Sequence, residues 1–179
     1  MAFLRQLTQS IRMADLGMVQ RVLLVTDGTL TDAVEALFGE PIGLRKLGSR
    51  IAPSDGDSGA LEAAPGSGIM HREILLKGEA TGRNYVYAES ELMLDRLPEG
   101  FREGLLVTNT PMGRLWSEHR METWKELLYA GPVEAGGLAV HFPGCTGGLI
   151  KRTYRIFCGG RPLMVISEFF PRDYGFDVA

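Results

Sequence analysis

In the stretch from Arg152 to Pro171, RTYRIFCGGRPLMVISEFFP, a carboxylate stands where the apolar pattern calls for a hydrocarbon side chain. Paired glycines take positive φ at little cost, and β-branched and aromatic residues flank Gly159 and Gly160. The segment therefore reads as two strands closed by a tight turn. Side chains alternate faces along a strand, which puts Glu168 on the face of Met164, Ile166 and Phe170. Leu163, Val165 and Phe169 take the other parity around Ser167, so both faces are expected to be covered and the strand to be a central one. An ionised carboxylate there is costly unless a cation or good hydrogen bonds compensate for the lost water.

A second strand repeats the anomaly with opposite sign. In IMHREILL, residues 69 to 76, Arg72 shares parity with Met70, Ile74 and Leu76, while His71 and Glu73 point the other way. Two readings stay open at this point. Arg72 and Glu168 form a structural buried ion pair, or both line a closed cavity and orient a small anionic ligand, a task suited to arginine's planar fork.

The rest of the chain narrows the function classes. A length of 179 residues suits one domain spanning 1–179, with residues 1–20 as a lead-in segment, and buries about two-thirds of the unfolded surface. With 23% charged residues and a net charge of −3, the chain lacks the basic face of a nucleic-acid binder. Cys145 and Cys158 have neither the number nor the spacing of a disulfide framework, which points to a reduced, cytoplasmic setting while leaving one bridge open. Arg5 and Arg12 interrupt the apolar residues of the N-terminus, and no run approaches the roughly 20 apolar residues of a membrane span.

Taken in order, Phe3, Leu4, Leu7, Ile11 and Leu16 suggest a short amphipathic segment within residues 2 to 16. An apolar run then meets Asp27 and Gly28, and Thr29 or Thr31 caps a helix that Gly39 and Pro41 stop. Residues 44 to 52 read as a strand. Residues 53 to 68, rich in Gly, Ser and Pro, read as a mobile surface loop with little to pack. The strand at 69–76 and a returning one at 83–90 make a hairpin, and residues 92 to 106 read as loop with one helical turn, broken by Pro98 and Gly100. Residues 117 to 130 fit either a helix with i, i+4 charges or a strand after a short helix starting at Pro111. Residues 131 to 148 read as irregular loop.

No phosphate-binding loop, dinucleotide fingerprint or nucleophile elbow occurs, and His71, His119 and His141 lack paired-ligand spacing, so no cofactor and no metal are expected. What remains is chemistry done by a shaped pocket and a few fixed charges.

The blocks VTDGTLT at 25–31, HREILL at 71–76, YVYAES at 85–90, RLPEGFR at 96–102, TPMGRLW at 110–116 and RTYRIF followed by GRPLMVISEFFP are similar to those of the chorismate pyruvate-lyase family. The resemblance runs from about Val22 to Pro171, closest to the mycobacterial, cyanobacterial and archaeal branch of 4-hydroxybenzoate synthases. It implies an α+β fold with a twisted, mainly antiparallel sheet, flanking helices and an enclosed cavity. It also implies conversion of chorismate to 4-hydroxybenzoate and pyruvate without a cofactor. By motif, Arg72 would hold the ring carboxylate, helped by the Met112 backbone and Gly113 of the PMG block. Leu30 would supply apolar wall, and Glu168 would face the oxygen-bearing end of the ring. A protonated Glu168 would donate to the departing ether oxygen; burial on an apolar face favours that form, a nearby arginine disfavours it, and the sequence leaves the protonation state open. The same fold could instead act on another cyclic carboxylate, or bind a small molecule without catalysis, as related folds do in transcription regulators.

Overall fold

In a computed structural model, which describes residues 11–56, 59–108, 110 and 112–174, the chain forms one six-stranded antiparallel sheet with helices on one face. The elements are α1 (Met18–Val25), α2 (Leu30–Phe38), β1 (Ile42–Pro53), β2 (Gly68–Gly78), β3 (Asn84–Met93), α3 (Glu99–Val107), α4 (Met112–Glu118), β4 (Thr123–Val133), β5 (Leu149–Cys158) and β6 (Arg161–Pro171). The architecture is α+β, as the resemblance implied. The sheet order β1-β2-β3-β6-β5-β4 joins two three-stranded meanders through the pairing of β3 with β6. β6 is thus a central strand. α3 and α4 carry the chain from the middle of the sheet to its far edge at β4.

Local chemistry explains most of these elements. Gly39 ends α2 at φ +69°, in the left-handed region that L side chains avoid. Gly159 and Gly160 turn β5 into β6 with φ of 56° and 76°. Thr29 takes the N-cap position of α2 without a side-chain cap bond, and Thr31 lies buried inside the helix instead.

Several expectations need correction. Most of the amphipathic segment placed in residues 2 to 16 lies outside the described residues; within them Met13–Asp15 is a single 3-10 turn. The connection between β1 and β2 is not a loop with nothing to pack. Its Leu61 and Ala63 are buried against Ile69 and Met93, because the sheet face beneath them would otherwise stay wet. Residues 94 to 107 hold a 3-10 turn and the nine-residue α3 rather than a loop; Pro98 precedes the first turn, where its missing N–H costs nothing. At 112 to 133 the second alternative holds, a short helix and then an 11-residue strand. That strand extends to Val133, so only the rest of the 131–148 stretch is irregular, with a 3-10 turn at Gly136–His141. Cys145 and Cys158 are both free. Among the described residues, no helix is long and apolar enough to cross a membrane.

The helix-bearing face of the sheet is divided. One buried cluster joins Leu23, Leu24 and Val34 to Leu76, Val86, Ile150 and Phe170. Another joins Phe101, Leu105 and Leu115 to Met70, Leu92, Ile156 and Met164. Between the two runs a band of the same face that carries Arg72, Ser90, Glu168 and Arg152.

Candidate functional site

Strand register builds this band. Arg72 pairs with Ser90, Ser90 with Ile166, and Ile166 with Tyr154; one step of parity along, Ile74 pairs with Ala88, Ala88 with Glu168, and Glu168 with Arg152. Arg72 and Glu168 therefore share a face but sit two strands and two residues apart, about 12 Å between Cα atoms by standard strand spacings. They are not an ion pair.

The partner of Glu168 is Arg152, a residue of the opening motif that sequence reasoning passed over. Nε and Nη2 of Arg152 donate to the same Glu168 oxygen, Oε2, at 2.9 and 2.5 Å, and the Tyr154 hydroxyl donates to Oε1 at 2.7 Å. Nη1 of Arg152 donates to the carbonyls of Leu24 and Thr26, tying the end of α1 to the sheet. Burial, the largest single influence, lowers the Arg152 guanidinium, but the Glu168 charge, the Tyr154 hydroxyl, the hydrogen bonds to Glu168 and the Asp27 charge together outweigh it and the net direction is upward. Burial, and then the Glu168 charge, push the Tyr154 hydroxyl well above the usual range, which keeps it a donor. With both oxygens accepting, Glu168 has the bonding of a carboxylate.

Arg72 is the contrast. Its side chain is fully enclosed, yet Nε, Nη1 and Nη2 have no hydrogen-bond partner among the described residues. Burial without a compensating charge lowers its pKa from the ordinary arginine value. A guanidinium taken out of water this way calls for an anion brought from outside the chain.

That anion has room. A cavity of about 220 Å³ is lined by Arg72, Ile74, Ala88, Tyr154, Ile166 and Glu168 on the sheet side. Residues 27–31 and the start of α4 close it from above, with Leu30, Met112, Gly113 and Trp116 turned to the same space. All five residues singled out from the sequence, Leu30, Arg72, Met112, Gly113 and Glu168, reach this one cavity. Gly113 is needed for the seam of the cover: a Cβ there would stand 2.2 Å from Thr29 Cγ2.

Lys125, on β4, lines the cavity and was also passed over. Its Nζ donates to the Asp27 carbonyl at 2.5 Å, lies 3.7 Å from Asp27 Oδ1 and sits 5.3 Å from the centroid of the Tyr154 ring. Burial first, and the Arg152 charge second, lower its pKa against the pull of Glu168 and Asp27. The signal was present in the sequence as the strand alternative that put Thr123, Lys125 and Leu127 on one face. No group of three or more His, Cys, Asp and Glu side chains suited to a metal converges among the described residues.

Known proteins resemble this chain in sequence and in fold. A family model described as Chorismate pyruvate-lyase Rv2949c-like matches residues 24–174. The proteins named chorismate pyruvate-lyase of Mycobacterium leprae and Mycobacterium tuberculosis are each 30% identical to the chain, over 154 and 158 residues. These alignments cover 85% of this chain and 73% and 79% of the respective relatives. Among solved structures, the effector domain of PhnF from Mycobacterium smegmatis matches with a TM-score of 0.62 over 82% of this chain and 90% of that domain. At 14% identity, that likeness is one of fold alone.

Proposed function

The chain belongs to the Rv2949c-like chorismate pyruvate-lyase family, and from that premise we propose that it eliminates pyruvate from chorismate to give 4-hydroxybenzoate. The observation that carries this reading is Arg72, a buried guanidinium without a partner among the described residues, facing a cavity the size of one substituted ring. Its fork takes the ring carboxylate, with the Met112 backbone and Gly113 beside it and Leu30 as apolar wall. Glu168, oriented by Arg152 and Tyr154, accepts from the ring hydroxyl at the other end.

The reaction needs little else. The ring carbon that bears the hydroxyl loses its proton, and the electron pair left behind completes the aromatic ring as the neighbouring carbon–oxygen bond breaks. The departing enolpyruvate takes up a proton on carbon to become pyruvate. Atoms balance without water, metal or oxidant. Aromatisation supplies the driving force, so the protein's task is to hold one conformer and to stabilise the charge on the departing oxygen. Glu168, as a carboxylate, is the group for the ring proton, and the Tyr154 hydroxyl, whose single proton goes to Oε1, holds that carboxylate in place within the cavity.

Incubating the purified protein with chorismate tests the reading. Absorbance of 4-hydroxybenzoate and pyruvate should rise together in equal amounts. A folded protein that binds 4-hydroxybenzoate but forms neither product from chorismate would be a binder and not a lyase.

A further inference from the structure

Charge bookkeeping within the cavity leaves one cation beyond those the elimination reading uses. Arg152 and Glu168 cancel. Arg72 matches one carboxylate. Lys125 remains, with its side chain 18% exposed and turned to the same cavity. Its ionic partner is weak: the Asp27 carboxylate lies 3.7 Å away with a side chain 84% exposed, an arrangement that water and salt screen. The close bond of Nζ goes to a backbone carbonyl, that of Asp27, with the Gly28 carbonyl farther off at 3.4 Å. An ammonium has three protons, so donor capacity remains toward the cavity.

The placement of Lys125 matters as much as its charge. Arg72 lies on β2 and Lys125 on β4, four strand positions apart in the sheet order; the register line from Arg72 runs through Ser90, Ile166 and Tyr154 to Leu127, and Lys125, two residues along β4 on the same face, pairs with Ile156. Both cations nevertheless line the one cavity, from strands at opposite ends of its floor. Arg72 is enclosed, whereas Lys125 hangs from the edge strand beneath the 27–31 cover.

We propose that Lys125 is a second anion subsite of the cavity, which binds the carboxylate of the side chain carried by the ring and so selects a dicarboxylate over a monocarboxylate. This deepens the lyase reading and rests on it for the substrate's identity: chorismate carries a second carboxylate on its enolpyruvyl group, and 4-hydroxybenzoate does not. The subsite engages the half of the molecule that leaves. Once the ring product stands alone, Lys125 returns to Asp27, and the cavity keeps only the Arg72 contact.

Calorimetry with two unreactive probes tests the subsite independently of turnover: 4-hydroxybenzoate, with one carboxylate, and 3-(carboxymethoxy)benzoate, with two. The parent protein should prefer the dicarboxylate. Lys125→Met should weaken it by about 10- to 100-fold, the scale of a lost charge-assisted hydrogen bond, while leaving 4-hydroxybenzoate within about twofold. Lys125→Arg should restore most of the preference. With chorismate, the loss in kcat/KM should fall mainly on KM. Equal weakening of both probes would make Lys125 a structural pin for residues 27 and 28 and overturn the proposal, as would a parent protein without the preference. A parent that prefers the dicarboxylate through Lys125 but forms no pyruvate would keep the subsite and sink the lyase reading. Turnover of chorismate by Lys125→Met at unchanged KM would do the reverse.

Discussion

Arg72→Ala removes the one cation that the fold encloses without a partner among the described residues, so its effect should fall on ligand binding more than on the empty protein. Titration calorimetry should show 4-hydroxybenzoate binding weakened by about 2 to 5 kcal/mol, the usual cost of deleting one member of a buried hydrogen-bonded charge pair. Arg72→Lys should recover little, since a point charge cannot match two parallel bonds. Unchanged affinity in Arg72→Ala would refute the carboxylate role. At this scale the alternation of side chains made Arg72 and Glu168 legible, because one charge among three apolar residues of the same parity is visible without a structure. The partner of Glu168 was not. A two-residue turn at Gly159 and Gly160 counts Arg152 opposite Ser167, yet β6 skips Leu163 in pairing with β5, and that bulge brings Arg152 opposite Glu168. No local signal fixes a one-residue slip.

Among the elements, the connection from β1 to β2 departs furthest from its composition. Arg96 donates to the carbonyls of Leu61 and Glu62 at 2.8 and 2.9 Å, and Arg155 donates to that of Ala60 at 3.1 Å, so three carbonyls of the segment are held by two arginines. Leu61→Ala should therefore cost about 2 to 5 kcal/mol in urea unfolding, the range for a truncated core leucine. A shift within about 0.5 kcal/mol would return the segment to the class of ordinary surface. Glycine and serine content hid this because the anchoring groups lie far along the chain. α3 was obscured in a related way. Its Gly104 weakens helix propensity, but a Cβ there would stand 2.9 Å from Leu115 Cδ2, so the glycine admits α4 at close range. Tertiary packing overrides local preference in both.

For the whole molecule, the chorismate lyase-like sheet was foreseen through the resemblance, with the 69–76 and 83–90 hairpin and the final hairpin read from alternation, whereas the β3–β6 pairing that joins the two meanders has no local signature. Glu40 fastens the helical layer to this sheet, accepting bonds from the Tyr85 hydroxyl, the Thr81 hydroxyl and the Ala80 and Thr81 amides. The Tyr85 bond first, and then Thr81, lower its carboxyl from 4.5 to about 2. A depressed carboxyl adds stability that is complete above its unfolded value of 4.5 and lost as pH falls through about 2. The melting-temperature gap between the parent and Glu40→Gln should therefore be widest near neutral pH and close toward pH 2; a gap independent of pH would contradict this. Arg72 acts on the same balance from the opposite side. In the ligand-free fold its charge sits in a low-dielectric interior, and unfolding returns it to water, so the guanidinium opposes folding until an anion rests on it. Occupancy and folding are then linked equilibria, and a ligand at a hundred times its dissociation constant adds about 2.7 kcal/mol to the native state. The melting curve becomes a reading of how full the cavity is, and cyclic carboxylates can be ranked by the rise each one causes before any bond is broken.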